Sequence, residues 1–310
     1  RRSRMTRRFA PPPLYRLAVA ACLLTMCGSV GCFPWVKPSS PWDGRQPLAA
    51  DLTRDELVRH INDQTARTPG WRCRSMTVQV ANYPKASGQL AVEYPRKMRL
   101  KARAMIPVAD FGSNADRVWC WVNPKIGGPG PETLTCRHAS FDRVRCAAEQ
   151  SGGVQIPFDP DWMMEVLGVA PIDPRSVSLT KAPDGGPLWH LTSHRTDAGG
   201  RRVLRVIDVD ARYGQVLAHE LRDANTGRPL VRAELQDHRR CEETGAVLPH
   251  EIHITWPASR LPKMTLRLNE IEVNPRDLPD DLWSLPAGRG GVRHLDGGTQ
   301  LADASADPHR

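Results

Sequence analysis

Apolar and polar positions alternate along most of the chain. Met98, Leu100, Ala102 and Ala104 fall on one side of a period-two segment, with Arg99, Lys101 and Arg103 on the other. Ile252, Ile254 and Trp256 alternate with Glu251, His253 and Thr255, and Met264, Leu266 and Leu268 with Thr265, Arg267 and Asn269. The phase then slips to Ile271 and Val273, which predicts a bulge near Glu270. Strand-like runs also cover 76–82, 88–94, 117–122, 133–138, 176–181, 188–194, 203–210, 215–221 and 230–236. Ala198-Gly199-Gly200, Tyr213-Gly214 and Asn225-Thr226-Gly227 are turn signals between them. About 11–12 strands with such short connections predict an antiparallel meander.

Two stretches switch to helical spacing. Thr53 with Glu56 three residues on reads as a capping box, and Leu57, Val58 and Ile61 follow it before Pro69-Gly70. Asp159-Pro160-Asp161 opens a second helix through Trp162 to Leu167, which Gly168 ends. Strands of this kind need a shared interior. The expected architecture is mainly β (α+β): a strongly curved antiparallel sheet, or incomplete barrel, with an N-terminal helix and a lid helix. Two stacked sheets are the rival arrangement.

The ends differ from the middle. Residues 1–32 hold six Arg and no acid; the remaining 37 basic residues face 34 acidic ones, so the formal +9 mostly belongs to this leader. No nucleic-acid partner is needed to explain it. An apolar run, Leu17–Cys27, is too short to span a bilayer comfortably and fits the core of an export signal. With Val30-Gly31-Cys32 it resembles a bacterial lipoprotein signal, in which Cys32 would be lipidated; an ordinary cleaved signal and a membrane anchor are the alternatives. Residues 33–50 read as a Pro- and Ser-rich flexible tether, 51–286 as the folded domain and 287–310 as a disordered tail. The resemblance implies a cell-envelope protein, anchored to a membrane by its N-terminal lipid, at the outer membrane facing the periplasm.

The folded part resembles the outer-membrane lipoprotein carrier and receptor family, of LolA/LolB-like fold. The likeness rests on Glu93-Tyr94-Pro95-Arg96-Lys97-Met98-Arg99-Leu100, on the turn and aromatic strand from Phe111 to Val122, on the helix entry Ile156–Pro160, and on Val206–Val209 with Val216-Leu217. It implies a strongly curved sheet with helices covering an apolar concave face, and acyl chains or lipoproteins as ligands or partners. The receptor branch uses an exposed apolar loop, for which Ile106-Pro107-Val108 is the nearest match.

Candidate chemistry is sparse. Met98, Leu100, Trp119, Trp121, Trp162, Ile252, Ile254, Leu266 and Leu268 are the expected lining of a hydrophobic cavity; plain core filling is the competing use of the same residues. Cys120 and Cys136 flank a Pro- and Gly-rich loop on neighbouring strands and are the disulfide candidates. No C-x-x-C, H-E-x-x-H, G-x-S-x-G or phosphate-binding loop occurs, so no metal, cofactor or catalytic group is expected. The basic stripe of Arg99, Lys101 and Arg103 reads as a solvated strand face. The expected function is a non-enzymatic envelope lipoprotein that binds an acyl or lipid ligand on the concave face, with lipoprotein sorting the task that the resemblance implies. The alternative is a structural or interaction lipoprotein with a filled core. Oligomeric state is open.

Overall fold

The computed structural model describes residues 46–296 apart from 82, 124, 126–131, 152–158, 182–185, 198–199, 259–260 and 287–290. The leader and Cys32 lie outside the described residues, as do most of the expected 33–50 tether and of the expected tail.

Among the described residues, one sheet of 14 strands forms the body. In chain order the strands are β1 (Gly70–Val80), β2 (Ala86–Glu93), β3 (Lys97–Arg103), β4 (Pro107–Ser113), β5 (Arg117–Val122), β6 (Thr133–Arg137), β7 (Ser178–Lys181), β8 (Leu188–Thr196), β9 (Arg202–Asp210), β10 (Val216–Asp223), β11 (Pro229–Arg240), β12 (Val247–Thr255), β13 (Met264–Val273) and β14 (Val292–His294). Spatially they run β14-β6-β5-β4-β3-β2-β1-β13-β12-β11-β10-β9-β8-β7, so the sheet does not close on itself. Every neighbouring pair is antiparallel except β14 on β6. The first and last long strands, β1 and β13, meet at the centre. The slip expected near Glu270 is there: Ser75 faces Glu270, while Met76 faces Leu268.

Among the described residues, three helices cover one face of this sheet, here called the inner face. The α1 helix (Arg54–Thr65) starts with the expected capping box between Thr53 and Glu56. It buries Leu57, Val58 and Ile61 against Trp189, Leu191, Ile207 and Val209 of β8 and β9. The α2 helix (Phe141–Ser151) packs Phe141 and Val144 on Val118, Cys120 and Cys136 at the other end. Between them α3 (Pro160–Val166) joins the largest core cluster. Curvature follows from what α3 and α2 reach. Asp161 of α3 pairs with Arg96, before β3, at 3.2 Å, while its N-cap Asp159 pairs with Arg195 of β8 at 2.7 Å. Arg145 of α2, which follows β6, the second strand from one edge, meets Asp197 after β8 at 3.2 Å.

Several details differ from the sequence reading. The strand count exceeds 11–12 because β4 and β14 join. The segment Phe111-Gly112-Ser113 reads as a turn but lies in β4: an added Cβ on Gly112 would stand 2.2 Å from the Trp119 ring, so only glycine fits there. The expected disordered tail contributes β14, through pairing with β6 that no local pattern announces. The end of the expected tether is docked: Leu48 packs beside α1 and its N–H donates to the Arg212 carbonyl at 2.7 Å.

Candidate functional site

The inner face is an apolar trough with α3 lying in it. Period-two alternation sends Met98, Leu100, Ile252, Ile254, Leu266 and Leu268 to this face, where they join Trp162 in one buried cluster. The helix turns nearly every side chain inward: Trp162, Met163, Met164 and Val166 are at most 3% exposed, as is Leu167 after it. The sheet supplies further methionines, so Met76, Met98, Met163, Met164 and Met264 all belong to this cluster. Unbranched thioether side chains repack at low cost, which makes such a surface adaptable. The Trp71 indole N–H donates to the Leu167 carbonyl at 3.0 Å, satisfying an acceptor that the helix end leaves open. A surface depression of about 450 Å³ lies elsewhere, at Thr53, Arg54, Asp55, Ser178 and Leu179, and none of the nine expected lining residues borders it.

Trp119 and Trp121 are on the opposite face, which corrects their expected place in the cavity. Gly112 stands directly between Arg99 and Trp119 in register, and Arg99 alternates with the inward Met98 and Leu100. The outer face therefore has a small core of its own. Arg99 forms a two-pronged pair with Asp110 at 3.0 and 3.1 Å, and both are buried. Arg99 also donates to the carbonyls of Leu282 and Ser284, each at 2.9 Å, so the chain after β13 crosses over this spot and lays Trp283 on it. The expected solvated role of Arg99 fails for that reason. All four central residues of β5 are buried, so its alternation carried no contrast from which to choose the inner side.

Cys120 and Cys136 do lie on adjacent strands, but both are free thiols, contrary to the expected disulfide. Cys120 faces Leu134, and Cys136 faces Val118. That diagonal offset holds two residues roughly 7–8 Å apart, beyond ordinary disulfide reach. Burial pushes both thiols up to about 12, so they are unreactive.

Sequence reasoning missed a polar cluster on the inner face. Arg195 of β8 and Arg205 of β9 project there among apolar neighbours, and both carboxylates paired with them come from α3 and its cap. Asp159 caps the helix by accepting from the Trp162 N–H at 3.1 Å and accepts from Arg195 Nη2 at 2.7 Å. Glu165 lies 2.8 Å from Arg205 Nε. That second contact is misaligned: Glu165 Oε2 and Arg205 Nε and Nη2 complete no hydrogen bond, and neither does Arg195 Nε. Burial pushes Glu165 up to about 7 despite Arg205 beside it. Next to Arg205, on β10, His219 is buried with Nδ1 unpartnered, and desolvation holds it down to about 3. The signal that could have found this cluster was two Arg at inward-phase positions of otherwise apolar strands.

Three histidines on the strands have ordinary partners. His190 contacts Asp208 at 2.9 Å, His250 the Leu268 carbonyl at 2.7 Å and His253 the Thr265 hydroxyl at 3.0 Å. Ile106, of the expected exposed apolar loop, is exposed together with Met105 in the β3–β4 turn. Among the described residues no helix is long and apolar enough to cross a membrane.

No protein-family model matches the chain, and no curated protein matches it. Similar solved structures do exist. A putative outer membrane lipoprotein-sorting protein domain from Vibrio parahaemolyticus is 12% identical over 74% of this chain and 97% of its own, with a TM-score of 0.48. A LolA superfamily protein from Nitrosomonas europaea is 10% identical over 76% and 98%, with a TM-score of 0.45. A DUF1329 family protein from Desulfovibrio piger is 11% identical over 74% and 95%, with a TM-score of 0.44.

Proposed function

We propose that this protein is a non-enzymatic envelope protein, lipid-anchored through Cys32 at the outer membrane, that binds an acyl chain or similar lipid tail in the trough now held by α3. One observation supports this most: the element filling the trough is a single seven-residue helix, fastened by side-chain pairs at its ends and seated on a methionine-rich apolar surface. Exchange of that helix for a ligand tail leaves the buried apolar area of the sheet covered. At roughly 25 cal/mol per Å², covering it is the dominant favourable contribution to binding. Lipoprotein sorting is the task implied by the family resemblance.

Native mass spectrometry of the protein released from membranes in mild detergent tests the reading. The expected result is a retained lipid or an acyl probe taken up on addition. A protein that is always empty and takes up no probe refutes it. Metabolic labelling with an alkyne fatty acid tests the anchor: label is expected on the wild type and absent from Cys32→Ser.

The second reading is a structural or interaction lipoprotein. The close fit of α3 favours it, because the interior is filled as it stands. Cross-linking in intact cells that recovers an envelope protein while no lipid is retained supports this reading instead.

A further inference from the structure

We propose that Arg195 and Arg205 form the seat for the anionic head group of an amphiphile, and that Asp159 and Glu165 occupy this seat while α3 is docked. The inference rests on the trough being a ligand site, and it adds the chemistry of the ligand's polar end.

The two arginines are placed together by strand register. Arg195 faces Val203 and Arg205 faces Ser193 across the β8–β9 pair, so they are diagonal neighbours on the inner face. On β10, Leu221 stands opposite Arg205, with His219 one inward position along. No carboxylate from β9 or β10 is paired with either guanidinium among the described residues. Asp142 of α2 is a further acid acting on Arg195, and it is paired with Arg145 at 3.3 Å. Asp161 acts on Glu165, and it too leaves with the helix. Removing α3 therefore leaves two guanidiniums at the rim of an apolar trough with their main counter-charges gone.

A fixed fork of donors suits a planar carboxylate or a phosphate oxygen pair better than any neutral group. The donors left incomplete by the helix point the same way. Arg205 Nε and Nη2 and Arg195 Nε are buried and complete no well-aligned hydrogen bond while Asp159 and Glu165 are in place, although Glu165 stands 2.8 Å from Arg205 Nε. A head group free of the helix backbone can align with these donors; Glu165, fixed on its helical turn, does not. The same ligand puts its tail where Met163, Met164 and Trp162 now pack, so head and tail together replace what α3 supplies.

Displacement of a neutral apolar fluorophore from the full-length protein tests this, with dodecanoate, dodecanol and acetate as competitors. Dodecanoate is expected to bind about tenfold more tightly than dodecanol, the scale of one charge-assisted hydrogen-bonded contact. Acetate is expected to displace nothing. Glu165→Gln, which keeps the shape and removes the competing charge, is expected to widen the dodecanoate-to-dodecanol ratio; Arg205→Met is expected to narrow it. If Arg205→Met fails to fold, Glu165→Gln still decides. Equal binding of dodecanoate and dodecanol in both wild type and Glu165→Gln overturns the head-group seat and leaves the trough reading intact. Displacement by acetate as effective as by dodecanoate overturns the amphiphile in favour of a small-anion site. Binding of neither long-chain compound overturns both.

Discussion

Gly112, Arg99 and Asp110 illustrate how single positions are constrained from across the sheet. Gly112→Ala places a methyl group against the Trp119 ring and the Met98 carbonyl, at 2.2 and 2.9 Å before any adjustment. Its expected cost is about 1–3 kcal/mol in urea unfolding, as for an overpacked core. Arg99→Met takes the guanidinium away from the buried Asp110 carboxylate, and about 3–5 kcal/mol of stability is expected to be lost. Adding Asp110→Leu to that variant is expected to restore most of the loss. The buried histidines set an acid response. Burial lowers His219 to about 3 and His238 to about 4 from 6.5, so below pH 6.5 the unfolded chain takes up protons that the folded one refuses. Stability from these two groups is therefore lost as pH falls from about 6.5. Glu165, raised from 4.5 to about 7, acts the other way: the folded form binds the extra proton, and stability falls as pH rises through that window. Two groups oppose one, so the urea midpoint is expected to drop on acidification from pH 6.5 to about 5. His219→Leu should make the drop shallower, and Glu165→Gln steeper.

Among the elements, α1 and α3 were legible because their caps are local. Thr53, three residues from Glu56, and Asp159 followed by proline state where each helix begins. Thr53→Ala is expected to cost about 1 kcal/mol, read from thermal unfolding. The same logic failed for α2, whose sequence follows a histidine-led turn of 3₁₀ type with no side-chain cap. It failed for β4, where glycine serves a neighbouring tryptophan rather than a turn. Asp159 has two tasks, capping α3 and holding Arg195, and so it controls docking as well as helix start. Asp159→Ala is expected to speed amide hydrogen exchange in 160–167 well before the central strands respond.

At the scale of the molecule, one core joins the two halves of the sheet through α3 and the β1–β13 junction. Leu266 sits at that junction, opposite Val78 on one side and Ile252 on the other. Leu266→Ala is expected to cost about 2–5 kcal/mol, with circular dichroism and tryptophan fluorescence still reporting one coincident transition. Seven of the nine residues expected in the trough share one buried cluster; six are there because period two fixes which side chains share a strand face, and Trp162 because its helix packs on that face. Trp119 and Trp121 went to the wrong side because both faces of β5 are buried, and alternation between two buried faces carries no direction.

By itself the sequence determined the strands with a wet face, the two capped helices and the one-sided apolar stripe that demands a curved sheet. Those features depend on contacts a few residues apart and on the contrast between water and apolar surface. Only the tertiary structure decided which face of β5 is inside, that the last strand pairs with β6, and that Asp159 and Glu165 meet Arg195 and Arg205. Those outcomes join residues distant in sequence, and the charge pairs exist only because the helix and the far strands are brought together in a place from which water is excluded.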